Sequence, residues 1–301
     1  MLYSKNLPSY AKINLFLKVR KRYKNGYHKI ITLYQSIDLH DEIDLEVSIN
    51  GKNDIYINYK RYDIPLREEN TMYKALTQLK AYTGIKFSAS INITKNIRPG
   101  SGLGGGSSNA ATILIAASKL LGIKIAKREL VNIAKKIGAD VAFFLYGGTL
   151  LAKNVGDSFL HTAQADIPYI LVIIPNFSLS TAEVYNVYDK ILTGNKFPNN
   201  IPDLKHTHFS YSIAKDIGND LEYAVKEITN EIDETKQELL KNGAQLALMS
   251  GSGSSVFGIF DSYSQLINAK KAIEKMNYSG IITHSISKHL YWKNIKKALN
   301  Y

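Results

Sequence analysis

The sequence predicts an α+β chain made of two domains. Three observations carry this: period-two alternation marks strands along the opening stretch, helical periodicity follows a glycine-rich segment, and from about residue 203 charged helices surround a second glycine turn. Strands and helices alternate irregularly rather than as repeated strand–helix–strand units. At 301 residues there is room for two such domains. They are expected to meet near 155–170, dividing the chain into 1–165 and 166–301.

Taken in order, "AKINLFLKV" (11–19) puts Ala11, Ile13, Leu15, Leu17 and Val19 on one face and Lys12, Asn14, Phe16 and Lys18 on the other, as a half-buried strand does. Asn25-Gly26 is a tight-turn pair leading into "KIITLYQSIDL", followed by the further strands "DEIDLEVSI" and "NDIYINY". In "EENTMYKALTQLKAYTG" (68–84), Asn70 or Thr71 can cap a helix and Gly84 can close it. A short strand ends near Lys95. After the glycine stretch a helix is expected from Ser107–Ser108, with Ala110, Ile113, Leu114, Ala117, Leu120 and Leu121 on its buried face and Gly122 as its stop. A second helix, "AKRELVNIAKKIG", ends at Gly138. "IPYILVIIP" (167–175) reads as a buried strand, 194–210 as a surface loop and 215–242 as helical. "AQLALMSGSGSSVFGIF" is a strand–glycine turn–strand unit; a helix and a last strand near "IITHSI" complete the chain.

Composition narrows the classes. With no cysteine, disulfides, thiolate metal sites and cysteine nucleophiles are excluded, in keeping with a reducing, cytoplasmic setting. The opening "MLYSKNLPSYAKINLFLKV" lacks the apolar run of a signal peptide, and "YILVII" is too short to cross a bilayer, so no membrane partner is expected. Formal charge is 38 − 26 = +12, yet the lysines are scattered, without an arginine-rich tail, zinc-finger spacing or RNA-binding aromatic motif. Solvated lysines, rather than a nucleic-acid partner, are the expectation. His206-x-His208 lacks further metal-ligand partners and is given no role.

The stretch "PGSGLGGGSSNAA" (99–111) calls for explanation, because glycine this dense costs backbone entropy. Gly100, Gly102 and Gly105 satisfy G-x-G-x-x-G, but another helix follows where a dinucleotide fold needs a strand ending in an acid. No lysine follows for a Walker A loop. A flexible linker would not be framed by a strand and a well-stopped helix. What remains is a loop whose backbone N–H groups face an anion at a helix N-terminus. Ser107, Ser108 and Asn109 add side-chain donors or a metal ligand. Phosphate binding is the best physical account.

"GLGGGSSNAA" resembles the phosphate-binding motif of the GHMP kinase superfamily. With "SYAKINLFLKV", "NGYH", "GADVAFFLYGGT", "STAEVY", "GNDLE" and "MSGSGSSVFGIF" in order, the chain is similar, from residue 9 to 260, to the GHMP kinases acting on the cytidine-diphosphate-linked methylerythritol of the non-mevalonate isoprenoid pathway. The resemblance implies an N-terminal domain like ribosomal protein S5 domain 2 and a ferredoxin-like C-terminal domain. It also implies ATP and Mg²⁺ as cofactors and transfer of the γ-phosphoryl group to a methylerythritol hydroxyl. It makes Asp140 the base and Lys12 its partner, and assigns ATP to Pro99, Gly100, Ser101, Gly102, Leu103, Gly104, Gly105, Gly106, Ser107, Ser108 and Asn109, with Lys95 and Asn70 approaching the nucleotide. Ser108 is a possible magnesium ligand. On the substrate side it places Tyr27, His28 and Tyr185 about the cytidine end and makes Asn14 and Thr181 substrate contacts, with Gly251, Ser252 and Gly253 closing over the diphosphate. The chain departs from the family at Ile97-Arg98-Pro99, where proline usually follows the isoleucine directly, at Ala142, where proline is common, and at "NVGD" (154–157). A GHMP kinase for mevalonate-type or amino-alcohol acceptors, and a catalytically silent binding module, are the alternatives; "NGYH" with "AKINL", and the retention of Lys12 and Asp140, speak against them.

Overall fold

Period-two alternation at the start of the chain becomes one long antiparallel hairpin. β1 (Leu2–Arg22) and β2 (His28–Ser48) pair from Leu2 opposite Val47 to Arg22 opposite His28, with four register shifts. The computed structural model describes residues 2–24, 26–49, 52–161, 164–192 and 210–300. Two strands were expected in 28–48, whereas β2 is continuous: Leu39-His40-Asp41-Glu42 offers neither glycine nor proline to break it. Asn25 and all but Ser210 of the expected surface loop 194–210 lie outside the described residues.

β2 anchors a six-stranded sheet. Besides β1, its early part pairs with β5 (Thr149–Lys153) and its late part with β4 (Ser88–Thr94). β3 (Ile55–Lys60) joins β4 in parallel and β6 (Ser158–His161) completes the other edge. The helices lie where the punctuation puts them. α1 (Thr71–Thr83) is capped by Asn70, whose Oδ1 accepts the Met72 N–H at 2.8 Å, and is closed by left-handed Gly84 at φ 70°. α2 (Gly105–Leu120) begins before the expected serines, followed by α3 (Lys127–Ile137) and the single turn α4 (Val141–Phe144). Leu76, Leu79, Ile113, Leu114, Ala117, Ile133 and Phe143 pack with the sheet residues Ile43, Leu45, Ile91 and Ile93 into one core.

The second sheet is antiparallel, in the order β10 (Gly280–Thr283), β7 (Ile170–Ile173), β9 (Val256–Ile259), β8 (Leu246–Met249). It has two apolar faces, which accounts for the unbroken run of apolar residues at 170–173. Ile170 and Val172, with Leu248 and Phe257, meet Ala11, Ile13 and Leu15 of β1. Leu171 and Ile173 meet α5 (Thr181–Leu192), α7 (Leu221–Lys226), α8 (Glu231–Lys241) and α9 (Tyr263–Lys275) through Val184, Tyr188, Leu221, Leu239 and Leu266. A shorter helix, α6 (Tyr211–Ile217), precedes α7, so the expected helical span 215–242 is three helices with turns between. α10 (Lys288–Ala298) returns to the first core, burying Tyr291 and Ile295 there, and the Ser4 hydroxyl donates to Ala298 O at 2.7 Å. With Ala11, Ile13 and Leu15 committed to the second sheet, Lys12 and Asn14 are turned to the opposite side, toward a cavity; the expected alternation breaks at the register shift between Asn14 and Phe16, so Phe16 joins that core and Leu17 lines the cavity. No helix among the described residues is long and apolar enough to cross a membrane.

Candidate active site

A cavity of about 810 Å³ opens between the two glycine turns, lined from both halves of the chain. Its floor at one end is the loop before α2. Gly104 caps that helix in the left-handed region at φ 73°, with no side chain bonding the first-turn amides, so Gly105, Gly106 and Ser107 present backbone donors at the positive end of a helix dipole. Gly102, at φ 78°, lies against the second turn, where an added Cβ would run into the carbonyl oxygens of Ser250 and Gly253. The Ser255 N–H donates to Ser101 O at 3.0 Å and the Ser250 hydroxyl to Gly102 O at 3.1 Å. The two turns are therefore stitched together by their own residues, through one backbone bond and the Ser250 hydroxyl.

Lys12 sits at that junction. Its Nζ donates to Gly102 O at 2.8 Å and to Asn14 Oδ1 at 2.6 Å, and lies 3.6 Å from Asp140 Oδ2. Burial pulls the Lys12 ammonium below an ordinary lysine's 10.5, against the pull of Asp140 in the other direction. Asp140, in the turn before α4, keeps 30% of its side chain exposed to the cavity. The Tyr34 hydroxyl donates to its other oxygen at 2.8 Å, and burial beside this carboxylate drives the Tyr34 phenol well above 10. Tyr34 was missed by sequence reasoning; it stands opposite Asn14 in the β1–β2 register, information that a single strand does not carry. The result is a carboxylate flanked by one ammonium and one phenol, open on its remaining side.

Several expected residues support the cradle rather than line it. Lys95 and Asp41 are buried as an ion pair, and Asn109 bonds to both, its Oδ1 accepting from Lys95 at 3.0 Å and its Nδ2 donating to Asp41 at 2.9 Å. Asp41 also accepts the N–H groups of Asn96 and Ile97, at 2.7 and 2.8 Å, which fixes the strand end leading into the loop. Ser108 is fully buried and accepts from Ser9 at 2.9 Å; Ser107 is the first-turn serine on the cavity. Leu103 is buried beneath its loop, its carbonyl accepting the Lys12 N–H at 2.9 Å, and Asn70 caps α1, whose Thr71 hydroxyl reaches Gly106 O at 2.6 Å. Pro99 and Gly100 line the wall. Arg98 does too, its guanidinium donating to the carbonyls of Pro175 and Asn176 at 2.8 and 3.3 Å, so the departure from the family's proline ties the glycine loop to the other half of the chain.

At the far end the walls are side chains. The His28 ring stacks on Tyr185 with centroids 4.9 Å apart and planes 22° from parallel. Tyr27, 63% exposed, stands at the rim. The Thr181 and Ser252 hydroxyls share a hydrogen bond of 2.8 Å, linking α5 to the second glycine turn. Gly251 and Gly253 face the cavity beside Ser252. Asn14 is held from behind, its Nδ2 donating to Thr32 Oγ1 at 2.7 Å. Within "GNDLE", Asn219 donates to the carbonyls of Met249 and Gly251, both at 2.8 Å, and Asp220 accepts from Lys18 at 2.7 Å, so this motif clamps the second turn against β1. Asp189 and Arg22 also line this end and were not foreseen. The signal for Asp189 was its place four residues after Tyr185, on the same helical face as Thr181.

Residues 70–148 match the family model described as GHMP kinases N terminal domain, and 210–279 the one described as GHMP kinases C terminal. Fold and site together define a GHMP kinase. A protein of Thermoanaerobacter pseudethanolicus named 4-diphosphocytidyl-2-C-methyl-D-erythritol kinase is 36% identical over 284 residues, covering 94% of this chain and 96% of the relative. One of Syntrophomonas wolfei with the same name is 37% identical over 266 residues, covering 88% and 92%. A crystal structure of 4-(cytidine 5'-diphospho)-2C-methyl-D-erythritol kinase is 27% identical with a TM-score of 0.75, covering 92% of this chain and 98% of that one. A homoserine kinase from Cytophaga hutchinsonii, at 22% identity and a TM-score of 0.68, shares the fold, with 95% of each chain covered. The chain belongs to the family of 4-diphosphocytidyl-2-C-methyl-D-erythritol kinases.

Proposed function

We propose that the chain transfers the γ-phosphoryl group of ATP to a hydroxyl of the methylerythritol moiety of 4-diphosphocytidyl-2-C-methyl-D-erythritol. The observation that carries this reading is the buried Lys12 ammonium, 3.6 Å from Asp140, at the meeting point of two glycine turns that line one cavity. The relatives' names supply the acceptor; the geometry supplies the means.

The amides at the start of α2 hold the phosphates, where backbone donors and the helix dipole favour negative charge. The acceptor hydroxyl lies beside Asp140, which takes its proton. The acceptor oxygen then forms its bond to Pγ as the bond from Pγ to the β–γ bridging oxygen breaks, releasing ADP. Lys12 offsets negative charge growing beside Asp140. Tyr34, donating to the second carboxylate oxygen, holds Asp140 in one orientation. Mg²⁺ would arrive with ATP and neutralise charge on the β- and γ-phosphates. Among the described residues no group of three His, Asp or Glu side chains forms a metal site. The cavity-lining oxygen donors near the loop include the Ser107 hydroxyl and the Asp140 carboxylate.

The far end takes the cytidine base between Tyr27 and Tyr185, with His28 reading its edge, while Gly251, Ser252 and Gly253 close over the diphosphate. A turnover assay tests the reading: ATP with the cytidylyl acceptor yields ADP and an acceptor one phosphoryl group heavier, and mevalonate or homoserine in its place yields neither. Equal turnover of those alcohols would overturn it.

A further inference from the structure

The base end holds a side-chain relay that the transfer chemistry does not use. Asp189, on α5, has both carboxylate oxygens engaged: Oδ1 lies 2.6 Å from His28 Nε2, and Oδ2 lies 3.1 Å from Arg22 Nη1. Arg22 is in turn held by Gly26 O, which accepts from its Nε at 3.2 Å, so the relay reaches back to the turn that carries Tyr27. His28 is itself nearly enclosed, with 4% of its side chain exposed, stacked on Tyr185 and edge-on to Tyr188 at 6.5 Å. The ring can neither flip nor tilt without breaking the short bond to Asp189.

A carboxylate only accepts, so Nε2 must carry a proton. That leaves Nδ1 as the second polar atom of a residue that lines the cavity. With its Nε2 hydrogen donated to Asp189, whose other oxygen is held by Arg22, the tautomer that keeps its one ring proton there presents a lone pair on Nδ1. A lone pair accepts from an exocyclic amino group and repels an exocyclic carbonyl oxygen.

We propose that the Asp189–Arg22 pair is a positioning device that fixes the His28 tautomer, and so makes this chain select an amino-bearing pyrimidine (cytosine) over its oxo counterpart (uracil). This rests on the proposed function and deepens it: what the motif "NGYH" leaves open, which hydrogen-bonding face His28 shows, is decided by two residues outside that motif.

The test compares cytidine- and uridine-linked forms of the acceptor by kcat/KM. Wild type prefers the cytidine form. In Asp189→Ala the preference falls about 10-fold or more, the scale of one directed hydrogen bond lost from a specific site, while KM for ATP, set at the opposite end of the cavity, stays within about twofold. Arg22→Gln is the second variant, since Arg22 is 55% exposed and its loss does not threaten folding. It releases Asp189 Oδ2, loosens the carboxylate that orients His28, and moves the preference in the same direction. A purely structural role for Asp189 lowers kcat/KM for both acceptors alike and leaves their ratio unchanged; an unchanged ratio in both variants overturns the proposal. Absence of turnover by wild type with either acceptor would instead be a failure of the proposed function.

Discussion

On the proposed reading, the two ends of the cavity bind by different means. At the phosphate end the donors are main-chain amides, the wall is glycine, and the side chains that matter, Lys95, Asp41 and Asn109, lie underneath and out of reach. At the base end the contacts are side chains, His28, Tyr185 and Asp189, on two elements far apart in sequence. A polyphosphate presents the same charge to any approach, so repeated backbone donors suffice for it. A base has one edge with a fixed donor and acceptor order, and reading that edge takes oriented side chains. Damage at the first end is therefore expected in transfer and stability, and damage at the second in acceptor choice.

The sharpest break in that comparison is Asp140→Asn, which removes the proton acceptor and keeps the shape. The expected outcome in steady-state turnover is a fall in kcat of roughly 10²- to 10⁴-fold. Near-normal kcat would remove Asp140 from the chemistry and leave the Lys12 junction a structural pair. Lys95→Met comes next. It strands the fully buried Asp41 carboxylate beneath the loop, a loss of about 3–5 kcal/mol for one partner of a buried pair, visible as a lower denaturation midpoint. Acceptor discrimination at the other end should be untouched in this variant.

A pH profile sharpens the account further. Burial holds Lys12 below an ordinary lysine's 10.5, so its proton leaves earlier on the alkaline side than that of a free lysine. Turnover that needs the ammonium therefore declines as pH rises through the lowered value, with a midpoint below 10.5. Tyr34 moves in the opposite direction and keeps its proton through that range. The contribution of Lys12 to stability has the reverse sign: between the lowered value and 10.5 the unfolded chain binds more protons, so this contribution rises with pH. An alkaline limb at or above 10.5 would mean that Lys12 charge is not needed. The smallest effect is expected from Tyr27→Ala. The ring is 63% exposed, and losing one stacking face of about 1 kcal/mol raises the acceptor KM roughly 5-fold with no change in KM for ATP.

The same contrast explains what could be read from the sequence. The glycine loop and the caps Asn70 and Gly84 were legible because each is a local pattern, a turn demanding positive φ or a helix boundary, whereas Lys12 and Asp140 stood out only through the family resemblance, since a strand lysine and an aspartate after a helix carry no signal of their own. A local pattern does not say whether a residue lines a cavity or props its wall. The resemblance groups Lys95, Asn109 and Ser108 with the nucleotide, whereas their bonds here are to one another, to Asp41 and to Ser9. β2, expected as two strands, is unbroken: residues 40–42 pair with β1 and, at Glu42, with β4, a continuity that only the partner strands reveal. Tyr34, Arg22 and Asp189 act through partners 106, 167 and 161 positions away in the chain, and only the fold brings them together.

The central claim, that the glycine-loop amides hold a polyphosphate against the second turn, is tested most directly by calorimetric titration of a non-hydrolysable ATP analogue into wild type and Gly102→Ala. Residue 102 has a φ of 78° and a Cβ there would meet the Gly253 carbonyl oxygen at 2.7 Å, so the substitution forces the two turns apart. The predicted result is one site per chain in wild type and a loss of affinity of about 10-fold or more in the variant, the scale of the 1–2 kcal/mol left-handed penalty plus that displacement. Equal affinity in the two proteins, or no binding by wild type, would contradict it.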